Sequence, residues 1–206
     1  YLGFLFFSPF PNMMNKFIGF LALLLIGYAL KAQEFKLLSP DERLSLSVTI
    51  ADKITWSVSL DNQEVIPSCE VAMHQSGRLL GIAPKLKNDS RESSKGYIDV
   101  PVPHKDSRVE ENYNQLTLEF KGDYSLAFRL FNDGLGYRFI DHSKKKRQVV
   151  NEVMKLNFPS GTTSFFPEEE SMYSHNERLY PQKNLAELTS DNFCSLPVLF
   201  QTEGVN

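Results

Sequence analysis

Ready-made chemistry is scarce in this chain. No Gly-x-Ser-x-Gly elbow, His-Glu-x-x-His, glycine-rich phosphate loop or Cys-x-x-Cys occurs in its 206 residues, so the common signatures of serine hydrolases, zincins, nucleotide binders and dithiol redox enzymes are missing. Of the four histidines, His74, His104 and His142 have no partner at a useful spacing. Helical periodicity is absent too: outside the amino-terminal apolar run no segment carries a sustained three-and-four-residue stripe. Charge of one sign is also lacking. A formal net charge of -3 with interspersed acids and bases argues against a nucleic-acid surface, which is usually basic along one face. The dense basic run Lys144-Lys145-Lys146-Arg147 follows a strand and reads as a solvated turn. Only Cys69 and Cys194 are present. A disulfide and two buried free thiols both remain open for them, and neither spacing points to zinc.

What is present begins with a leader. Met14-Asn15-Lys16 gives a short positive start, residues 17–30 are almost uninterruptedly apolar, and Ala32 supplies a small residue before Gln33. This is the pattern of a secretory signal peptide over residues 14–32. The run is shorter than the ~20 residues needed to span a bilayer, so the expectation is export to the periplasm or beyond, without a stable membrane anchor. Residues 1–13, which start with Tyr1, read as upstream translation. Residues 33–206 are long enough for one sizeable core.

That mature part reads as short strands split by turns. Leu44, Leu46, Val48 and Ile50 alternate with Ser and Thr, and Ala51-Asp52-Lys53 turns the chain into a strand over residues 54–60. Asp61-Asn62 makes the next turn, and further strand-like runs follow around residues 65–66, 81–82, 97–102, 116–120, 124–131, 136–140, 148–156 and 195–200. Residues 85–96 are polar and read as an exposed loop; residues 101–108 read as irregular, and residues 184–188 as a short turn of helix. Asn132-Asp133-Gly134 is hairpin chemistry, expected to reverse the chain through residues that tolerate positive φ. Trp56, mid-strand, belongs in a core. The fold class is therefore all-β, an antiparallel sandwich.

The hairpin Phe128-Arg129-Leu130-Phe131-Asn132-Asp133-Gly134-Leu135-Gly136-Tyr137-Arg138-Phe139 closely resembles the amino-terminal domain of glycoside hydrolase family 97, which cleaves α-linked sugars. Downstream, Phe166-Pro167-Glu168-Glu169-Glu170-Ser171-Met172-Tyr173-Ser174-His175-Asn176-Glu177-Arg178-Leu179-Tyr180 is similar to the loop of that domain that reaches towards the active site. The resemblance implies a two-sheet super-sandwich like that of galactose mutarotase, here without its last strands. It also implies that the catalytic carboxylates reside in a (β/α)8 barrel after the sandwich. Glycoside hydrolysis normally needs two carboxyl groups about 5 to 10 Å apart, so no catalytic residue is expected within this chain and the chain alone is expected to be inactive. Residues 196–206 read as a strand and turn that stop short of the barrel.

By composition alone Glu168, Glu169 and Glu170 form a solvated acidic loop. The resemblance adds calcium: the family's sandwich domain lends one glutamate to a calcium ion whose other carboxylates come from the barrel, and Glu177 is the matching position. His175 and Arg178 flank it as candidate substrate contacts, with Arg178 free to pair with Glu170 or a sugar hydroxyl. Tyr173, Tyr180, Phe165 and Phe166 could stack on sugar rings, though the two phenylalanines read as core. The implied partners are an oligosaccharide and the barrel; the implied role is the amino-terminal domain of an exported α-glucosidase or α-galactosidase. A free-standing secreted carbohydrate-binding sandwich is the alternative.

Overall fold

The computed structural model describes residues 32–102 and 105–202. The upstream segment, the leader apart from Ala32, His104 and residues 203–206 lie outside the described residues. In chain order the strands are β1 Gln33–Leu38, β2 Leu44–Ile50, β3 Ile54–Leu60, β4 Gln63–Gln75, β5 Arg78–Leu80, β6 Leu86–Asp99 and β7 Arg108–Phe120. They continue with β8 Tyr124–Leu130, β9 Leu135–Asp141, β10 Val149–Lys155, β11 Thr163–Phe165, β12 Gln182–Asn184 and β13 Leu199–Gln201, and a 3-10 turn covers Leu185–Glu187.

Two antiparallel sheets make the sandwich. One runs β1-β2-β3-β4-β10 with β5 beside β4, the other β6-β7-β8-β9. Period-two patterning explains why they pack. In β2, Leu46, Val48 and Ile50 are buried while Ser45, Ser47 and Thr49 are not, and the ladder sets Val48 against Trp56 and Ile50 against Ile54. In the second sheet Leu116, Leu118, Leu126, Phe128 and Leu130 turn to the same core. Each such side chain contributes roughly 1.5–3 kcal/mol by leaving water. Trp56 lies in this core, 5% exposed. Tyr137 of β9 ties the sheets at their rim, donating from its hydroxyl to Glu152 Oε1 of β10 at 2.7 Å. Burial and the adjoining Glu152 carboxylate push its ionisation well above the usual tyrosine range.

Turn chemistry is used differently at the two hairpins read from sequence. Asp61 and Asn62 do take positive φ, 49° and 68°, joining β3 to β4, as a primed hairpin turn requires. At Asn132-Asp133-Gly134 none of the three is left-handed. Instead the loop closes with Phe131 N–H donating to Gly134 O at 2.8 Å, and Asn132 Oδ1 accepts from Asp41 N at 3.1 Å, fastening the hairpin to the β1–β2 turn. The expected reversal holds, but a longer loop makes it.

Residues 85–96, expected as a polar loop, are instead most of β6. Its ladder with β7 runs from Leu86 opposite Phe120 to Asp99 opposite Arg108. Backbone pairing overrides composition here: both faces of the ribbon's outer half are wet, so nothing selects apolar residues. The strand read at residues 195–200 shortens to Leu199–Gln201, beyond Pro197, which has no N–H to offer a ladder. Cys69 and Cys194 are free thiols, which answers the open disulfide question. Cys69 sits in the core, and burial raises the thiol pKa of both.

Candidate functional site

The third sheet, β12-β11-β13, carries the acidic loop. Ser164 of β11 and Phe166 just after it are buried, Lys183 lies over the Phe166 ring at 5.5 Å, and Phe166 N–H donates to Pro181 O. The chain then enters the three glutamates, which have three fates.

Glu168 is half-exposed and committed: it pairs with Lys183 and accepts from Asn192 Nδ2 at 2.6 Å. Those bonds, Lys183's first, hold its carboxyl below the usual range. Glu169 is buried, its side chain 3% exposed. Ser174 Oγ donates to its Oε1 at 2.6 Å and Arg178 Nε to its Oε2 at 2.8 Å. The Ser174 bond lowers its pKa most; burial opposes this, and Arg178 and Ser195 add to the lowering. Glu170 is exposed. The expected Arg178–Glu170 pair is therefore corrected: the guanidinium turns inward to Glu169, because only that carboxylate is withdrawn from water, where a charge needs a partner.

This inward clamp spans the loop and fixes its tip. Asn176 takes φ 59°, its N–H donates to Ser174 Oγ at 2.9 Å, and Glu177 N–H donates to His175 Nδ1 at 3.2 Å. His175 is exposed and its Nδ1 is spent on the backbone rather than on Glu177's carboxylate. Glu177 is exposed, with no side-chain hydrogen bond or ion pair among the described residues. It lines a hollow of about 340 Å³ with Glu168, Arg178, Leu179 and Pro181. Glu177 and Arg178 thus line one hollow, while His175 stands outside its lining. Tyr173, 96% exposed, and Tyr180, 43% exposed, are open to solvent; Phe166 is core and Phe165 half-buried.

As for calcium, the ion takes six to eight oxygen ligands. No group of three or more His, Cys, Asp or Glu side chains able to hold a metal exists among the described residues. Glu168 is engaged with Lys183, which leaves Glu177 as the free carboxylate of the hollow. One free carboxylate does not make a calcium site by itself; the other oxygens would have to come from outside the described residues.

Sequence reading missed the roles of Glu169, Ser174, Lys183 and Asn192. Alternation extended from Ser164 through Phe166 would have turned Glu168 inward. Pro167, itself buried, shifts the alternation by one and delivers Glu169 instead.

Antiparallel sandwiches serve many unrelated functions, so this fold and its pinned acidic loop do not by themselves assign one. A variant of a glycoside hydrolase family 97 enzyme from Pseudoalteromonas sp. strain K8 matches 82% of this chain and 27% of its own, with a TM-score of 0.70 at 17% identity. A beta-arabinopyranosidase matches 72% of this chain and 26% of its own, with a TM-score of 0.62 at 22% identity. In sequence, a retaining alpha-galactosidase of Bacteroides thetaiotaomicron is 32% identical over 197 residues. That alignment covers 90% of this chain and 30% of the relative. The family model described as Glycosyl-hydrolase 97 N-terminal matches residues 37–206. The chain belongs to glycoside hydrolase family 97, and it corresponds to the amino-terminal domain.

Proposed function

We propose that this chain serves as the amino-terminal domain of an exported, calcium-dependent α-glycoside hydrolase, an α-galactosidase or α-glucosidase, in which residues 14–32 direct export and residues 33–206 form the sandwich. The observation that carries the reading is the free Glu177 carboxylate, held at the tip of a loop whose base is locked by the buried Glu169. In this reading the sandwich packs on the catalytic barrel, Glu177 supplies one calcium ligand, and Arg178 and His175 border the sugar pocket. A calcium ion held there by Glu177 and carboxylates of the barrel would supply Lewis-acid polarisation of the glycosidic oxygen. This chain's own part is positional: Glu169 holds Arg178, Ser174 holds the Asn176 backbone, and the His175 ring holds the Glu177 backbone.

The α-galactosidase relative supports galactosides as first substrates to try, and a related family 97 enzyme has been solved in complex with panose. The test is Glu177→Gln in the longer protein that joins this domain to its barrel. Calcium affinity should fall by at least the roughly 10–100-fold that losing a partner behind a metal ligand costs, together with calcium-dependent hydrolysis of aryl α-galactosides or α-glucosides. Unchanged calcium affinity by calorimetry would remove Glu177 from the site. Hydrolysis by residues 33–206 alone would refute the division of labour.

A further inference from the structure

The hairpin at residues 128–139 has a second, outward face that the reading above leaves unused. Leu126, Phe128 and Leu130 point into the core, so Ala127, Arg129, Gly136 and Arg138 lie on the opposite face of the β6-β7-β8-β9 sheet. That face contains a hollow of about 160 Å³ lined by Gln115, Ala127, Arg129, Phe131, Gly136 and Arg138. Its floor is made of small residues. Gly136 stands opposite Arg129 in the ladder, and a Cβ placed on it would meet nothing within 4 Å.

The polar groups around this hollow are held and only partly satisfied. Gln115, 7% exposed, donates through Nε2 to Glu92 Oε1 at 2.5 Å and to Thr117 Oγ1 at 3.1 Å, and its Oε1 accepts from Arg129 Nε at 2.6 Å. The Arg129 guanidinium is braced by stacking 4.2 Å above the Tyr113 ring, which itself meets Phe131 at 5.4 Å. Its Nη1 lies 3.6 Å from Glu111, too far for a hydrogen bond. Arg138, paired in the ladder with Ala127, is exposed and has no hydrogen bond or ion pair among the described residues. A held guanidinium, Arg129, and a free one, Arg138, therefore border an open space with Phe131 as one wall.

The geometry points to a second carbohydrate site on this face, taking one neutral pyranose unit. A cavity of roughly 150 Å³ holds a bare ring such as benzene, so this open hollow would seat one face of a pyranose and leave the ring's hydroxyls at its mouth. Guanidinium N–H groups of Arg129 and Arg138 that face water are open to a ligand's oxygen acceptors, while Glu92 and Glu111 balance the two arginines, so no net positive field selects an anion. The choice of a sugar over another oxygen-bearing ring rests on the glycoside hydrolase reading.

The test uses the 206-residue chain with methyl α-galactopyranoside, methyl α-glucopyranoside and glucuronate as probes, titrated by NMR. Saturable millimolar binding of a neutral glycoside is expected. It should weaken more than tenfold in Gly136→Val, which fills the hollow from a strand position, and in Arg138→Gln, an exposed change that leaves the melting temperature in place. Absence of saturable binding, binding of glucuronate alone, or neutral binding that survives either substitution would overturn the site. Hydrolysis of small aryl glycosides by the longer protein should not respond to either variant, so failure here is distinct from failure of the calcium assignment.

Discussion

Glu169 and Asp141 are depressed carboxylates with different consequences. Asp141 ion-pairs with Arg78 at 2.7 Å and accepts from Ser143 N–H at 2.8 Å. Burial opposes its ionisation, but the Ser143 and Arg78 bonds prevail and pull its pKa from 3.8 to about 2. A carboxylate lowered on folding contributes stability that is complete above its unfolded pKa and disappears as pH falls through the folded one. Asp141→Asn should thus cost about 1 kcal/mol at neutral pH, with the gap to the unmodified chain closing between pH 3.8 and about 2 in urea melts. A gap that persists at pH 2 would show that the loss is not electrostatic. Glu169 has the same sign, its hold on the loop present above 4.5 and fading below it. Its effect is local, so Glu169→Gln should make residues 170–180 sensitive to protease at pH 7, while the unmodified loop becomes so only in acid. The three consecutive glutamates were visible in the sequence, but which one turns inward was not, because that depends on a one-residue shift at Pro167.

Among the elements, strands whose one face meets the core were legible, since burial writes an alternation into β2 and β3. The outer half of β6 was not, because a ribbon wet on both faces leaves no apolar trace and is specified only by its partner. Dynamics should separate the two kinds. Amides of residues 97–99 and 108–110, at the ribbon's outer end, should exchange far faster than those of Leu116, Leu118 and Leu126, whose opening approaches global unfolding. Equal protection along β7 would mean that something covers the ribbon. Gly81 marks another limit of sequence reading. It has φ +85°, and a Cβ there would come within 2.8 Å of Val71 O. Its N–H also donates to the Tyr124 hydroxyl at 3.3 Å, linking the two sheets. Gly81→Ala should destabilise the sandwich by about 1–3 kcal/mol, the usual range for a forced backbone conformation, measurable as a lower urea midpoint at unchanged slope.

For the molecule as a whole, the distribution of exposed apolar side chains is uneven and instructive. Met172, Tyr173, Leu179 and Leu196 are 88%, 96%, 89% and 86% exposed, and all belong to residues 166–202, around the third sheet. Nothing in the sandwich core needs them. Removing Phe128, fully buried between the main sheets, should cost about 3–5 kcal/mol as Phe128→Ala; removing Met172 and Leu179 should cost almost nothing in stability. Their contribution is to association. Exposed apolar groups that form a contiguous patch mark an interaction surface and, left open, promote aggregation; Val102, Val150 and Tyr97, 77%, 68% and 64% exposed, lie outside this segment. In the proposed arrangement the barrel covers the apolar groups of residues 166–202. The double variant Met172→Ser, Leu179→Ser should therefore raise the solubility of residues 33–206 without moving their melting temperature, and in the longer protein it should loosen the domain and lower kcat/KM while leaving the barrel folded. If solubility is unchanged, the loop's apolar tips are not what drives self-association. If the longer protein is unaffected as well, the sandwich meets the barrel through another face.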